Sequence, residues 1–140
     1  MVVLIADDDE DDRELTRDAL LEVNAGTVRF VRDGQELLDY LRNKGAPGQD
    51  QGETPDVVLL DLHMPRMNGS QALSEIRADR EIASTPVVVF TTSRDEDDVR
   101  DSYERGANSF IAKPSTFAGL VEAMRGFRTY WADVVNLPST

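Results

Sequence analysis

Short apolar runs recur five times along this chain, and longer segments with apolar residues at helical spacing separate them. Most of the runs are unbroken by polar residues, which is typical of parallel strands buried on both faces. Strand and helix signals that alternate in this way predict an α/β domain with a parallel sheet and helices on both faces. The predicted strands are Val2–Ala6, Thr27–Val31, Val57–Leu60, Val87–Thr91 and Ser109–Ala112.

The helices between the strands are predicted from caps, glycines and apolar spacing. The first covers residues 9–23, and its first turn is acidic, which the helix dipole favours. Its inward face is expected to consist of Leu15, Ala19, Leu20 and Val23. In the second helix Asp33 fits the N-cap and Gly45 fits the end, and a Gly- and Pro-rich loop is expected at 46–55. The other helices are predicted at 69–79, at 95–104 and from a start near Ser115.

Charge and composition exclude several classes of function. The 140 residues carry 27 acidic and 15 basic side chains, a net charge of −12, whereas nucleic-acid binding needs a basic face. Cysteine is absent from the sequence, so neither disulfides nor thiolate metal sites can form. The opening apolar run is too short for a signal peptide, and no segment approaches the roughly 20 apolar residues that span a bilayer. We therefore expect a cytoplasmic protein that binds neither nucleic acid nor membrane.

Polar side chains follow four of the five predicted strands, at the edge of the sheet where ligands bind in such folds. They are Asp7 and Asp8 after the first strand, Asp61 after the third, Thr91, Thr92 and Ser93 at the fourth, and Lys113 after the fifth. Carboxylates suit Mg²⁺, and a lysine with a hydroxyl can neutralise a phosphoryl oxyanion. The set indicates a site that stabilises a phosphoryl group on a carboxylate.

Each of these residues also has a structural interpretation. Asp8 could cap the first helix, and Lys113 could form an ion pair that only stabilises the fold. Thr91 taken alone is an ordinary residue at the end of a strand. Asp61 is different, because a lone carboxylate at the end of an apolar strand is costly unless it is paired. The presence of all four at neighbouring strand ends favours function.

Four stretches carry a resemblance to a known family: VVLIADDDEDD, PDVVLLDLHMPRMNG, TPVVVFTTS and GANSFIAKP. They resemble the CheY-like receiver domain of two-component response regulators, and the likeness covers nearly the whole chain. The resemblance implies a flavodoxin-like, doubly wound, five-stranded parallel sheet with strand order 2-1-3-4-5. It also implies a phosphoacceptor signalling domain that catalyses only its own phosphorylation and dephosphorylation.

The resemblance implies roles for the acids at the strand ends. Asp61 would accept a phosphoryl group from the phosphohistidine of a sensor histidine kinase. Asp7 and Asp8 would form an acidic pair, with Asp8, Asp61 and the backbone carbonyl of His63 as the protein ligands of Mg²⁺. Residues 9–12 are then expected to form the solvated first turn of the helix.

Other positions take their roles from the same resemblance. Lys113 and Thr92 would contact the phosphoryl oxygens. Thr91 would reorient to donate its hydroxyl to them, and the aromatic ring of Phe110 would move with it as the second part of the switch. Pro114 would be preceded by a cis peptide bond, for which X-Pro is the only common site.

Two features resemble the single-domain regulators that partner bacterial and cyanobacterial phytochrome kinases: the long loop 45–55 and the tail GFRTYWADVVNLPST. We divide the chain into a receiver domain, 1–128, and an extension, 129–140, expected to form an interface. Without a DNA-binding output domain, signalling would proceed by docking or by transfer to a histidine phosphotransfer protein. His63 departs from the family, because many relatives carry Asn there.

The tail also predicts a homodimer. Apolar residues continue the stripe of the last helix beyond the length that a receiver needs, and Trp131, Val134, Val135 and Leu137 are expected to lack cover from their own domain. Exposed apolar patches of this kind mark interfaces, and two-fold dimers are the commonest assembly. The expected interface comprises the fourth helix, fifth strand and fifth helix. The alternative is that the tail folds back over its own core.

Three other functions compete with a phosphorylated receiver. A haloacid-dehalogenase-like phosphohydrolase needs a second Asp two residues after the nucleophile, where this chain has His63. A flavodoxin needs a Ser/Thr/Gly-rich phosphate loop after the first strand, where this chain has six acids. A degenerate receiver that only binds a partner would not need the complete set of Asp8, Asp61, Thr91 and Lys113.

Overall fold

Five parallel strands form one sheet in the part of the chain that the computed structural model describes, residues 1–42 and 54–137. The strands have the predicted bounds: β1 Val2–Ala6, β2 Thr27–Val31, β3 Val57–Leu60, β4 Val87–Thr91 and β5 Ser109–Ala112. Their order is β2-β1-β3-β4-β5, which confirms the doubly wound, flavodoxin-like fold. The helices are α1 Glu10–Glu22, α2 Gly34–Leu41, α3 Gly69–Ala78, α4 Glu96–Glu104 and α5 Phe117–Arg128.

Helices cover both faces of the sheet, which explains why its central strands β1, β3 and β4 are apolar on both sides. On one face, α2 and α3 contribute the buried side chains Leu37, Leu38, Ala72, Leu73 and Ile76. On the other face, α1 and α5 contribute Ala19, Leu20, Leu120, Met124 and Phe127. Within residues 1–42 and 54–137, none of these helices has the length and apolar character needed to cross a membrane.

The helices α2 and α5 begin directly after residues whose side chains cap them. Asp33 is the N-cap of α2, as predicted, and accepts a hydrogen bond from a backbone N–H of the first turn. The last helix begins at Phe117, close to the predicted start near Ser115, and the Thr116 hydroxyl takes the N-cap position and accepts an N–H at 3.0 Å. The predicted end of α2 at Gly45 and most of the loop after it lie outside the described residues.

The inward face of α1 differs from the prediction at its N-terminal half. Leu15 is 46% exposed, whereas Ala19, Leu20 and Val23 are buried as expected. The buried positions in this half of α1 belong instead to the polar side chains Arg13 and Thr16, which are 8% and 2% exposed. The guanidinium of Arg13 donates to the Asp7 carbonyl at 3.0 Å in that region.

The C-terminal tail folds back over its own domain, which was the alternative to an uncovered tail. A π-helical segment, Thr129–Val134, continues α5 and places Trp131 in the core beneath α1 and α5. Val135 and Leu137 pack against the same cluster. The prediction that these three side chains lack cover is therefore wrong, and only Val134 of the predicted set is largely exposed, at 64%.

Candidate functional site

The register of the sheet brings the acids of β1 and β3 together. Ala6 pairs with Leu60, so Asp7 and Asp61 follow directly at adjacent strand ends. The backbone N–H of Asp61 also donates to the Ala6 carbonyl at 2.9 Å, which extends the ladder by one residue. Their proximity follows from pairing between segments more than fifty residues apart.

Three carboxylates form a cluster at this edge. Asp7, Asp8 and Asp61 each offer an oxygen, and these oxygens all lie within 4.8 Å of one another. Asp7 and Asp61 are buried, whereas Asp8 is exposed. A hard divalent cation prefers oxygen ligands and can keep water on its open side, so these residues fit one.

The ammonium group of Lys113 contacts two of the three carboxylates. Its Nζ donates to Asp7 Oδ2 at 2.7 Å and lies 3.8 Å from Asp61 Oδ2. It also donates to Asp12 Oδ2 at 3.3 Å. Burial would lower the pKa of Lys113, but the Asp7 hydrogen bond and the charges of Asp61, Asp7 and Asp12 outweigh it and raise that pKa. The ammonium therefore stays charged beside the carboxylates.

The contact with Asp12 was missed by the sequence interpretation, which placed residues 9–12 in solvent. The sequence offered no local signal for this contact, because Asp12 and Lys113 are 101 residues apart. The bond before Pro114 is another correction, because the structure has a trans peptide there. Lys113 reaches Asp7 from this trans arrangement, and trans is the form that X-Pro bonds ordinarily prefer.

Asp61 has an unfavourable environment as an anion. Burial raises its pKa, the charge of Lys113 opposes that effect, and the charge of Asp7 raises the pKa further. The outcome is a pKa above the ordinary value of a carboxyl group. A cation bound among the three carboxylates would relieve this repulsion, which supports the fit of the site to a metal ion.

Thr91 supplies a hydroxyl without a hydrogen-bond partner. The residue is fully buried, and no atom within residues 1–42 and 54–137 meets the distance and angle of a hydrogen bond to its Oγ1. The hydroxyl still lies close enough to Asp61 to favour the ionised carboxylate. Leaving a buried hydroxyl unpaired costs about 1–3 kcal/mol, so a ligand that accepts from it would recover that energy.

The other predicted residues lie around the cluster. Thr92 is exposed at the rim, and the next residue, Ser93, donates to Asp98 of α4 at 2.5 Å. His63 is exposed, and its N–H points to Asp61 Oδ1 at 3.4 Å. Phe110 is half-buried on β5, where its N–H donates to the Tyr103 hydroxyl at 3.2 Å.

Comparison with known proteins assigns this arrangement to a family. The family described as "Response regulator receiver domain" matches this chain over residues 3–125. This chain belongs to that family. Receiver domains are phosphoacceptor signalling domains, so the match agrees with a buried acid between an acidic pair and a lysine.

Among relatives of this receiver domain is the response regulator Rcp1 of Synechocystis sp., 31% identical over 139 residues, which cover 99% of this chain and 93% of Rcp1. A probable methanogenesis regulatory protein, FilR2 of Methanothrix harundinacea, is 38% identical over 106 residues. Those residues are 76% of this chain and 66% of FilR2, slightly less than two thirds of its length.

Solved structures agree with these sequence matches. The phosphorylated cyanobacterial phytochrome response regulator RcpA superposes with a TM-score of 0.87 at 34% identity, over 99% of this chain and 98% of its own. The Mn²⁺-bound form of Rcp1 superposes with a TM-score of 0.86 at 31% identity, over 99% of each chain. This chain is thus a response regulator receiver domain similar to Rcp1 and RcpA over nearly its full length.

Proposed function

We propose that this receiver domain accepts a phosphoryl group on Asp61, from a phosphohistidine of a sensor histidine kinase, in a reaction that requires Mg²⁺. The observation that carries the proposal is the position of Asp61, between the acids Asp7 and Asp8, the ammonium of Lys113 and the unpaired hydroxyl of Thr91. Acetyl phosphate with Mg²⁺ tests it, because tryptic peptide mass spectrometry should then find one phosphoryl group on Asp61.

The chain's own groups can perform the transfer. A carboxylate oxygen of Asp61 forms the bond to phosphorus as the bond from phosphorus to the histidine nitrogen breaks, and the imidazole keeps the electron pair. Lys113 and the Thr91 hydroxyl donate to the phosphoryl oxygens and offset their charge. Asp8, Asp61 and the His63 carbonyl would hold Mg²⁺, with Asp7 beside them. When bound, Mg²⁺ supplies further positive charge to those oxygens.

The phosphoryl group would be sensed through β4 and β5. Thr91 pairs in register with Ala112, so its movement toward a phosphoryl oxygen acts beside the strand that carries Phe110. Phe110 packs against the core cluster. When the Thr91 hydroxyl turns toward the phosphoryl group, the space it leaves allows the Phe110 ring to move inward. Thr92, exposed at the rim, would contact the phosphoryl oxygens from outside.

The phosphodonor needs a surface next to Lys113. Leu15 of α1 and Phe117 of α5 are each 46% exposed and line a cleft that also contains Lys113 and Pro114. Apolar side chains exposed beside a reactive group are suited to a protein partner. We assign this cleft to the docking of the sensor kinase or of a histidine phosphotransfer protein. The kinase is proposed to be of the phytochrome type, because the similar protein RcpA is a phytochrome response regulator.

Metal-free protein offers a first test through stability. Asp61→Asn is expected to raise the free energy of unfolding by about 1 kcal/mol at neutral pH in EDTA, because it removes a buried charge that is also repelled by Asp7. The pKa of Asp61 is raised in the folded state, so its ionisation weakens the wild type as pH rises from about 4. The advantage of Asn should therefore grow from pH 4 toward neutrality in thermal unfolding followed by circular dichroism.

Addition of Mg²⁺ should reverse that order. The folded wild type binds the ion and gains stability, whereas Asp61→Asn has lost one of the carboxylate ligands. If Asp61→Asn were less stable than the wild type at neutral pH in EDTA, the claim that ionised Asp61 destabilises the metal-free protein would be wrong. Equal stabilisation of both proteins by Mg²⁺ would contradict its role as a ligand.

We also propose a homodimer through the face formed by α4, β5, α5 and the tail. Tyr130 and Val134 are exposed there, and a groove between β5 and α5 is lined by Ile111 and Phe127. A Cβ added to Gly126 would meet no described atom within 4 Å, although glycine inside a helix costs about 0.5–1 kcal/mol. The bare backbone at this position leaves room for a second copy to approach closely.

Light scattering tests the dimer. The wild type is expected to have the mass of a dimer at tens of micromolar, and Tyr130→Glu is expected to be monomeric because it places a charge in the groove. The matched control is Phe30→Glu, a similarly exposed aromatic position on β2 at the opposite edge of the sheet, which should leave the dimer intact. A monomeric wild type, with or without beryllofluoride and Mg²⁺, would refute the proposal.

A further inference from the structure

Arg66 has an unusual backbone conformation in the loop that follows Asp61. Its φ is +63°, in the left-handed region that residues other than glycine rarely adopt. Such a conformation persists when surrounding contacts hold it, and it is found at sites where a loop must keep one shape. The contacts that hold Arg66 come from the turn before α2, on a different part of the chain.

The side chain of Arg66 forms an ion pair with Asp33. Asp33 is 2% exposed and also caps α2, accepting the Glu36 N–H at 2.8 Å. Burial raises the pKa of Asp33, but the Glu36 N–H and the guanidinium outweigh it, and the pKa lies below its ordinary value. The carboxylate is therefore ionised at neutral pH and is available to hold the guanidinium.

A backbone contact joins the same two segments. The N–H of Gly34 donates to the Met67 carbonyl at 2.9 Å. A Cβ at Gly34 would lie 2.5 Å from that oxygen, so only glycine permits the approach. The loop after β3 is thus attached to the turn before α2 by a side-chain pair and by the adjacent backbone.

The two ends of the loop between β3 and α3 are joined by a hydrogen bond next to the proposed phosphoacceptor Asp61. The Gly69 N–H donates to the Leu62 carbonyl at 3.0 Å, and a Cβ at Gly69 would lie 2.2 Å from the Asp61 carbonyl oxygen. His63 lies between Leu62, at this hydrogen bond, and the attached residue Arg66. The backbone of His63 is therefore attached on both sides to segments that hydrogen bonds and the ion pair keep in place.

We propose that Arg66 and Asp33 are positioning residues for the metal site. By holding the loop in one shape they direct the backbone carbonyl of His63 toward the acidic cluster, and they thereby set the affinity for Mg²⁺. This inference rests on the proposed function, because it needs His63 to be a ligand. It adds two residues that touch neither the ion nor the phosphoryl group.

Arg66→Gly separates positioning from stability. Glycine adopts φ of +63° freely, so the loss of the ion pair is offset by relief of the backbone, and the melting temperature should stay near that of the wild type. The loop nevertheless loses its attachment to Asp33. Removal of a positive charge would by itself strengthen the binding of a cation, so weaker binding has the sign expected only of lost positioning.

The experiment is calorimetric titration of Mg²⁺ into unphosphorylated wild type, Arg66→Gly, Arg66→Lys and Arg42→Met. Arg42 is the matched control, because its 2.7 Å ion pair with Asp79 joins the C-terminal ends of α2 and α3, away from the N-terminal ends where Asp33 and Arg66 meet. The Kd for Mg²⁺ should rise roughly tenfold in Arg66→Gly, as for other residues that orient metal ligands. Arg66→Lys should restore part of the affinity, and Arg42→Met should bind like the wild type.

Equal Kd values for wild type and Arg66→Gly would overturn the positioning role while leaving the proposed function intact. A matching loss in Arg42→Met would also overturn it, because any α2–α3 ion pair would then suffice. Absence of Mg²⁺ binding by the wild type would overturn the proposed function together with this inference.

Discussion

Asp61→Asn is expected to lower the rate of phosphorylation by acetyl phosphate at least about a hundredfold, because an amide replaces the nucleophile. The substitution is nearly isosteric and should leave the fold unchanged. The measurement is intact-mass spectrometry of the protein at timed intervals after addition of acetyl phosphate and Mg²⁺. EDTA should suppress the reaction of the wild type, because the carboxylate cluster then lacks its cation.

The control is Asp11→Asn, which changes an exposed acid in the first turn of α1 and alters the net charge by the same amount. It should be phosphorylated like the wild type. Modification of Asp61→Asn at the wild-type rate would remove Asp61 from the role of phosphoacceptor and would favour a receiver that only binds a partner.

Trp131→Ala is expected to lower the free energy of unfolding by about 3 kcal/mol, the usual scale for truncating a buried aromatic side chain. Trp131 is only 9% exposed and packs within the core cluster beneath α1 and α5. Its ring also meets Tyr130 edge-on, with the centroids 5.2 Å apart. Urea unfolding followed by far-ultraviolet circular dichroism measures the change.

Val134→Ala is the matched control in the same π-helical segment, because Val134 is 64% exposed in the single chain. All proteins are compared at a concentration low enough for the chain to be monomeric, so that association adds nothing to the difference. Its effect should stay within about 0.5 kcal/mol. A loss below about 1 kcal/mol for Trp131→Ala would mean that the tail does not pack on its own domain in solution. The tail would then be free to cover a partner, as the sequence interpretation expected.

The strands and most caps were predictable from sequence because their signals are local. An unbroken run such as Val57–Leu60 can only be satisfied by burial on both faces, so its place in a parallel sheet followed directly. Asp33 was predictable as a cap because its side chain bonds a backbone N–H three residues away. The acids and the lysine at strand ends were predictable as a group because parallel strands end at one edge.

Leu15, Asp12 and Trp131 were misassigned because helical spacing defines a face without saying what lies opposite it. Leu15 is exposed because the polar residues Arg13 and Thr16 take the buried positions in that half of α1. Asp12 is near the start of an acidic helix, yet Lys113 from the fifth strand end reaches it. Trp131 was expected to be uncovered by its own domain, because no local sequence pattern shows that the tail folds back onto the core.

The sequence by itself thus determined the α/β architecture, the succession of strands and helices along the chain, and which side chains follow the strands at the carboxyl edge. Tertiary structure alone decided which of those side chains meet, because Lys113 and Asp7 are 106 residues apart and their 2.7 Å contact depends on sheet register. The pairing of Arg66 with Asp33, 33 residues apart, was equally invisible, since it requires a left-handed backbone at a residue whose type does not favour one. Local preferences place each element, whereas the site depends on long-range packing.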